Sequence, residues 1–184
     1  VPQPNDHILE LGCGTGHGLA YLSKTISTSE GIIGLDLSLG MLKQTRKLLQ
    51  ITVPEESIKL HIGDACYLPY AAGIFSAVFL SFIIELIDTP EIPLVLSECK
   101  RVLKKDGRIC IVCLEKQERL SVRIYEMAHK LIPSIVDCRP ILIQTNLIQS
   151  GYLISSCITK TVWGLPVNIV IAKVDHPESK ENHE

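Results

Sequence analysis

The stretch that most limits what this chain can fold into is Ile8-Leu9-Glu10-Leu11-Gly12-Cys13-Gly14-Thr15-Gly16-His17-Gly18. A short apolar run ends in an acidic residue and then in alternating glycines. Leu19, Leu22 and Ile26 follow at helical spacing. That order of signals predicts a strand, a tight turn and a helix, the opening of a nucleotide-binding α/β unit. Glycines permit backbone angles closed to other residues, and without a Cβ they let a ligand lie against the main chain.

The spacing narrows the ligand. The dinucleotide fingerprint needs G-x-G-x-x-G. Counted from Gly12 its last position falls on His17, and counted from Gly14 it falls on Leu19, so both registers fail. The phosphate loop fails too, because no Lys follows the glycines. What is present is E-x-G-x-G-x-G, from Glu10 to Gly16. This resembles the first motif of class I S-adenosylmethionine (SAM) dependent methyltransferases. SAM carries an ammonium and a sulfonium and no phosphate, so an acidic residue at the strand exit suits it. A structural turn with a solvated Glu10 is the plain alternative.

The next elements repeat the pattern. Gly31 to Asp36 predicts a second strand, apolar on both faces, and such strands separated by helices argue for a parallel sheet covered on both sides. Asp36 stands at its tip, where folds of this kind hold the two ribose hydroxyls; a helix cap or a surface carboxylate is the alternative. Ser38 is the better cap for the following helix, which turns Leu42, Thr45, Leu48 and Leu49 inward. Ser57 to Ile62 predicts the third strand, with His61 packed in it, and Gly63-Asp64-Ala65 follows directly. The resemblance implies that Asp64 accepts from the adenine amino group and that the next backbone N–H reaches a ring nitrogen; an Asx turn is the alternative. Phe75 to Ser81 predicts the fourth strand, in which Ser76 stands where family members often have Asp. In all, the resemblance implies cofactor contacts at Glu10, Gly12, Cys13, Gly14, Thr15, Gly16, Asp36, Leu37, Met41, Asp64, Ala65, Ser81 and Phe82, with S-adenosyl-L-homocysteine (SAH) as the product left behind.

Two further segments bear on the acceptor. Phe82-Ile83-Ile84-Glu85 stands where amino-methylating DNA and protein enzymes would carry an N-P-P-Y type motif, which favours a small-molecule substrate. Glu98 to Ile109 resembles the E-x-x-R-V-L-K-P-G-G-R signature of ubiquinone/menaquinone-biosynthesis-type methyltransferases, with Lys105-Asp106 in place of Pro-Gly. Pro93 is read as opening a helix, with Lys104 and Lys105 in its last turn and Gly107 closing it. The fifth strand is then Arg108 to Leu114. Lys116 to Cys138 places its apolar residues on one helical face. It leaves from the edge where open α/β sheets bind ligands, so it is expected to cover the substrate pocket in part; ordinary core packing is the alternative. Arg139-Pro140 leads to a helix over Ile141 to Ser150, capped by Gly151.

The end of the chain decides between fold families. Tyr152 to Val162 and Val167 to Val174 both read as strands, separated by Trp163-Gly164-Leu165-Pro166. A parallel crossover needs about a dozen residues or more, so these strands form a hairpin and the last one is antiparallel. The resemblance therefore implies an α/β three-layer Rossmann-like sandwich. Its seven-stranded, mostly parallel sheet has the order 3-2-1-4-5-7-6.

The 184 residues allow one domain, expected over 1–174 with a charged, frayed tail at 175–184. A net charge of -2 and no basic stripe argue against a nucleic-acid partner. No apolar run reaches the ~20 residues of a membrane span, and no signal peptide is read. The chain opens at Val1 rather than Met, which suggests a trimmed chain lacking an N-terminal helix. The seven cysteines include Cys110-x-x-Cys113, but residues three apart on a strand face opposite ways, so a shared metal is not expected. Reduced core thiols and a cytoplasmic setting are expected instead. The oligomeric state is not legible.

The expected activity is SAM-dependent methyl transfer to a small-molecule acceptor, of hydrophobic character such as a quinone precursor or a lipid. His17, Tyr125 and His129 are the nameable general bases, and none is selected. Arg139 and Trp163 are candidates for the substrate side. Two rival readings are a non-catalytic SAM-binding regulatory or scaffold module and a nicotinamide-dependent oxidoreductase. The latter fails on the glycine spacing, on the terminal hairpin and on the lack of any Y-x-x-x-K set.

Overall fold

In the computed structural model, residues 2–26, 31–53, 58–117 and 139–175 are described. The one-faced helix expected over Lys116 to Cys138 lies, from 118 onward, outside the described residues. So does the tail from 176.

Strands β1 (Ile8–Leu11), β2 (Ile32–Asp36), β3 (Ile58–Ile62), β4 (Phe75–Ser81), β5 (Leu103–Leu114), β6 (Tyr152–Val162) and β7 (Leu165–Val174) form one sheet. Its order is β3-β2-β1-β4-β5-β7-β6, as the family resemblance implies. The first five strands pair in parallel, and β7 is antiparallel to both β5 and β6. Helices α1 (His17–Leu22), α2 (Leu39–Thr52), α3 (Ile92–Val102) and α4 (Ile143–Gln149) complete the described elements with a short 3-10 turn at Thr89–Glu91.

Alternation along the strands splits the core in two. Ile8, Ile32 and Ala77 pack with Leu19, Leu42 and Leu49 of α1 and α2. Leu9, Leu11, Val78, Leu80, Ile109 and Ile111 pack with Val95, Leu96 and Cys99 of α3 and Leu147 of α4. β1 is buried along its whole length because it is an interior strand, flanked by β2 and β4, of a sheet covered on both faces. Tyr152 is fully buried, and its hydroxyl donates to the Leu96 carbonyl at 2.8 Å, joining β6 to α3. Cys110 and Cys113 fall on opposite faces: Cys110 lines a cavity on the α1 side, and Cys113 packs in the α3 core. The six described cysteines carry free thiols.

The helix read as closing at Gly107 ends five residues earlier. Arg101 and Val102 offer their carbonyls to the amides of Gly73 and Ile74 at 3.0 and 2.9 Å. Leu103 then turns to extended angles and pairs with Phe75 of β4. Lys104, Lys105 and Asp106 therefore belong to an irregular start of β5, before regular pairing resumes at Arg108 with Ala77. Gly107 is needed for space and not as a left-handed cap. A Cβ there would lie 2.9 Å from both the Lys104 carbonyl oxygen and a Leu103 methyl. Gly151, by contrast, has φ +75 and follows α4 as expected.

Candidate functional site

The parallel strands end at one edge of the sheet, and the loops leaving that edge enclose a cleft of about 700 Å³. Gly12, Gly14, Asp36, Leu37, Met41, Asp64, Ala65, Ser81 and Phe82 all line it. These residues come from the ends of four strands, which only the parallel register of β3-β2-β1-β4 brings together.

The glycine turn is built from both sides. Gly12, Gly14 and Gly16 have φ of +63, +53 and +88, a region that side chains rarely adopt. The amides of Gly12 and Cys13 both donate to the Leu35 carbonyl, at 2.8 and 3.2 Å. Thr45, fully buried on α2, donates its hydroxyl to the Gly14 carbonyl at 2.6 Å. A Cβ at Gly14 would meet nothing nearer than 3.9 Å, so the space beside the main chain there is open. A Cβ at Gly16 would meet Thr45 at 2.6 Å, so that glycine allows α2 to approach and lines neither cavity.

Asp36 is held by two amides. Its Oδ2 accepts the Gly14 N–H and its Oδ1 accepts the Ser38 N–H, both at 2.8 Å. The carboxylate is thereby fixed in orientation, while each oxygen keeps a lone pair for a ligand hydroxyl. Ser38 caps α2, accepting the Met41 N–H at 3.3 Å. Asp64 makes the Asx turn weighed above, its Oδ1 accepting the Cys66 N–H at 2.8 Å. That bond does not conflict with a ligand role, because the second oxygen stays available on an exposed side chain. His61 bonds the Tyr70 hydroxyl at 2.9 Å, in keeping with a packed role.

A second cavity of about 610 Å³ opens on the α1 side of the sheet and shares Gly12, Gly14 and Ser81 with the first. Glu10, Cys13 and Thr15 line this one. Glu10 is 3% exposed, and its Oε2 has no hydrogen-bond partner among the described residues. Burial pushes its carboxyl up to about 8. A buried acid in this state has a strong electrostatic demand for a cation or a donor. Gly18 explains how the carboxyl fits: a Cβ there would lie 2.2 Å from Glu10 Oε1. The Cys13 side chain packs in the α1 core, and burial raises its thiol to about 12, so it contributes backbone and not chemistry.

The loop after β4 forms the opposite wall. Phe82 takes φ +53, unusual for an aromatic residue, and its amide donates to the Val112 carbonyl of β5 at 2.8 Å. Glu85 is 1% exposed, and its Oε1 accepts the Leu114 N–H at 2.7 Å. Its Oε2 has no partner among the described residues, and burial raises the carboxyl to about 7. Arg139 donates to the Ile87 carbonyl, so it braces this wall from outside.

Other candidates fall elsewhere. His17 is exposed at the start of α1 and faces the second cavity, and Tyr125 and His129 lie outside the described residues. Trp163 is 98% exposed at the β6–β7 hairpin tip and lines neither cavity, so the sequence expectation that it faces substrate is not met. Sequence reading missed Thr45, Gly18 and Glu85 as site supports. A polar threonine on an otherwise apolar helix face was the one available signal for Thr45. Among the described residues no group of three or more His, Cys, Asp or Glu is placed to hold a metal.

Residues 8–107 match a family described as a methyltransferase domain. The demethylmenaquinone methyltransferase of Symbiobacterium thermophilum is 34% identical over 119 residues, 65% of this chain and 46% of that protein. The chain spans about half the length of the curated relatives it matches. Among solved structures, a SAM-dependent methyltransferase from Methanosarcina mazei superimposes with a TM-score of 0.74 at 16% identity, covering 95% of both chains. The magnesium protoporphyrin IX methyltransferase of Synechocystis with bound SAH gives 0.73 at 16% identity, over 94% of this chain and 75% of that one. At such identities these likenesses speak for the fold.

Proposed function

The chain belongs to the methyltransferase-domain family, and we propose that it binds SAM in the cleft at the strand ends and transfers the methyl group to a small, hydrophobic acceptor. One observation carries the reading: the turn of Gly12 and Gly14, the fixed carboxylate of Asp36, the Asp64-Ala65 pair and the Ser81-Phe82 wall share a single cleft. The fit is chemical as well as spatial. Asp36 would hold the ribose hydroxyls, Asp64 and the Ala65 amide the adenine edge, and Leu37 and Met41 the adenine faces. Glu10, the buried acid with an unbonded oxygen, suits the cationic amino-acid end, with Cys13, Thr15 and Gly16 shaping the turn around it.

Bound SAM would supply an electrophilic methyl group on its sulfonium. The chain's part is to fix the two reactants in line and to exclude water from between them. The apolar wall of Ile83, Leu86 and Ile87 supports a hydrophobic acceptor. The names of the relatives support an acceptor of the demethylmenaquinone class. The free thiols support a reducing, cytoplasmic setting, and a small-molecule acceptor is favoured over a nucleic acid by the net charge of -2.

The test is a SAM-turnover screen on the full-length protein with quinone precursors, small phenols and lipids, backed by calorimetry with SAM and NADH. Methyl transfer to a hydroxylated naphthalene or quinol ring is expected. Tighter binding of NADH than of SAM would overturn the cofactor reading.

A further inference from the structure

The sequence signature around Glu98 and Arg101 is left unused by the cofactor cleft, which neither residue lines. The structure nonetheless spends five hydrogen bonds on this pair. Arg101 Nε and Nη2 donate to the two Glu98 carboxylate oxygens at 2.6 and 2.7 Å, a bidentate fork. The same guanidinium donates to the carbonyls of Tyr70 and Leu68, at 2.7 and 2.9 Å. Glu98 Oε2 accepts the Leu68 N–H at 2.8 Å. Arg101 also offers its own carbonyl to the Gly73 amide at 3.0 Å. The ion pair therefore does not join two surface side chains alone. It grips the Leu68 amide and the Leu68 and Tyr70 carbonyls from the end of α3, and the Arg101 main chain adds the bond to Gly73.

That backbone is the continuation of the Asp64-Ala65 corner. Cys66 and Leu68 dip into the core, and Tyr67 returns its amide to the Asp64 carbonyl at 3.1 Å. Tyr70 packs edge-on against Phe75. Between β3 and β4 the chain has no regular secondary structure to satisfy its own polar groups, so side chains must do so. A planar fork with five donors suits that task, and a lysine ammonium does not reproduce it.

We propose that Arg101, aligned by Glu98, is a positioning residue: it clamps the 66–73 loop so that Asp64 and Ala65 are presented to the cofactor's adenine. The proposal rests on the SAM reading above. Arg101 is half-exposed and touches neither reactant, so it acts on cofactor affinity and not on the transfer step.

The experiment measures amide hydrogen exchange and calorimetric binding of SAH and 5′-methylthioadenosine in wild type, Arg101→Ala, Arg101→Lys and Glu98→Gln. In Arg101→Ala the Leu68 amide is expected to exchange about tenfold faster or more, with β7 amides unchanged. Both ligands are expected to lose about tenfold in affinity by the same factor, because the damage is at the adenosine end they share. Arg101→Lys falls between alanine and wild type. Glu98→Gln moves the same way by a smaller factor and serves if alanine at 101 fails to fold. Unchanged Leu68 exchange, or faster exchange spread evenly over the sheet, would overturn the clamp. A loss for SAH without one for 5′-methylthioadenosine would also overturn it. A wild-type protein that binds neither ligand would instead sink the SAM reading, and the exchange data would still decide whether the clamp holds the loop.

Discussion

Two walls of the same cleft are built by opposite means. The glycine-turn wall is held by groups that keep bonding capacity toward the cleft. Asp36 spends one lone pair per oxygen on Gly14 and Ser38 and keeps others, and the Gly14 backbone lies bare. The wall after β4 is held by groups turned inward. Glu85 reaches back to the Leu114 amide, and Arg139 holds the Ile87 carbonyl. What this second wall shows to the cleft is mainly apolar, Phe82, Ile83, Leu86 and Ile87, with the carboxylates of Asp88 and Glu91 at its far end. The difference teaches where recognition is polar and fixed and where it is a matter of shape. The family match, residues 8–107, takes in the cleft-lining residues of both walls and stops near the start of β5.

Four measurements would sharpen or break this contrast. Gly12→Ala should have the largest effect. Its Cβ would lie 2.5 Å from Ile83 Cγ1 at a φ of +63, so the two walls would collide, and unfolding in urea should show a loss of about 3 kcal/mol. An unchanged midpoint would mean that the walls are less tightly joined than the geometry indicates.

Asp36→Ala comes next. It should weaken SAM by roughly 1.5–3 kcal/mol in calorimetry if the carboxylate bonds the ribose. The same affinity in the variant would remove Asp36 from the site. At the second wall Glu85→Gln tests the buried acid. Because the folded-state value near 7 lies above the ordinary 4.5, this carboxyl's stability contribution is full below about pH 4.5 and is lost as pH rises through 7. Wild type should lose stability between pH 5 and 8, and the glutamine variant should lose about 1–2 kcal/mol less. Glu10 shares this sign with a window reaching about 8, so a residual slope should persist in the variant. Parallel pH profiles for the two proteins would show that Glu85 is already ionised when folded. Trp163→Ser should do least: on a fully exposed tip it should change stability by less than about 0.5 kcal/mol and leave SAM binding alone. A tenfold loss of binding would bring the hairpin into the site after all.

Much of the polar wall was legible in the sequence because its parts are local. A glycine at positive φ, a carboxylate at a strand tip and a serine cap each leave a mark within a few residues. The reversed last strand was legible for a similar reason, since the short Trp163-Gly164 connection forbids a crossover, while the order of the other strands came from the family resemblance. The supports were not legible. Thr45 reads as one inward position of a helix until the Gly14 carbonyl is seen above it. Glu85 is no more than the last residue of an apolar stretch in the sequence until Leu114 of another strand bonds it.

The helix boundary at Val102 shows the same limit from the other side. Lys104-Lys105-Asp106-Gly107 carries every local sign of a helix end, but Gly73 and Ile74 claim the carbonyls of 101 and 102 first. The sequence by itself determined the strands, the turn, the reversed last strand and the acidic residues at three strand tips. These follow from backbone sterics and from the period of apolar residues, both short-range. Only the tertiary structure decided which of those residues meet. It set Glu10 apart beside Gly18, with its Oε2 unbonded among the described residues, left Trp163 in solvent and put Arg101 to work on a loop some thirty positions away. Burial and long-range hydrogen bonding depend on partners brought together by the sheet, and no stretch of sequence carries its partners with it.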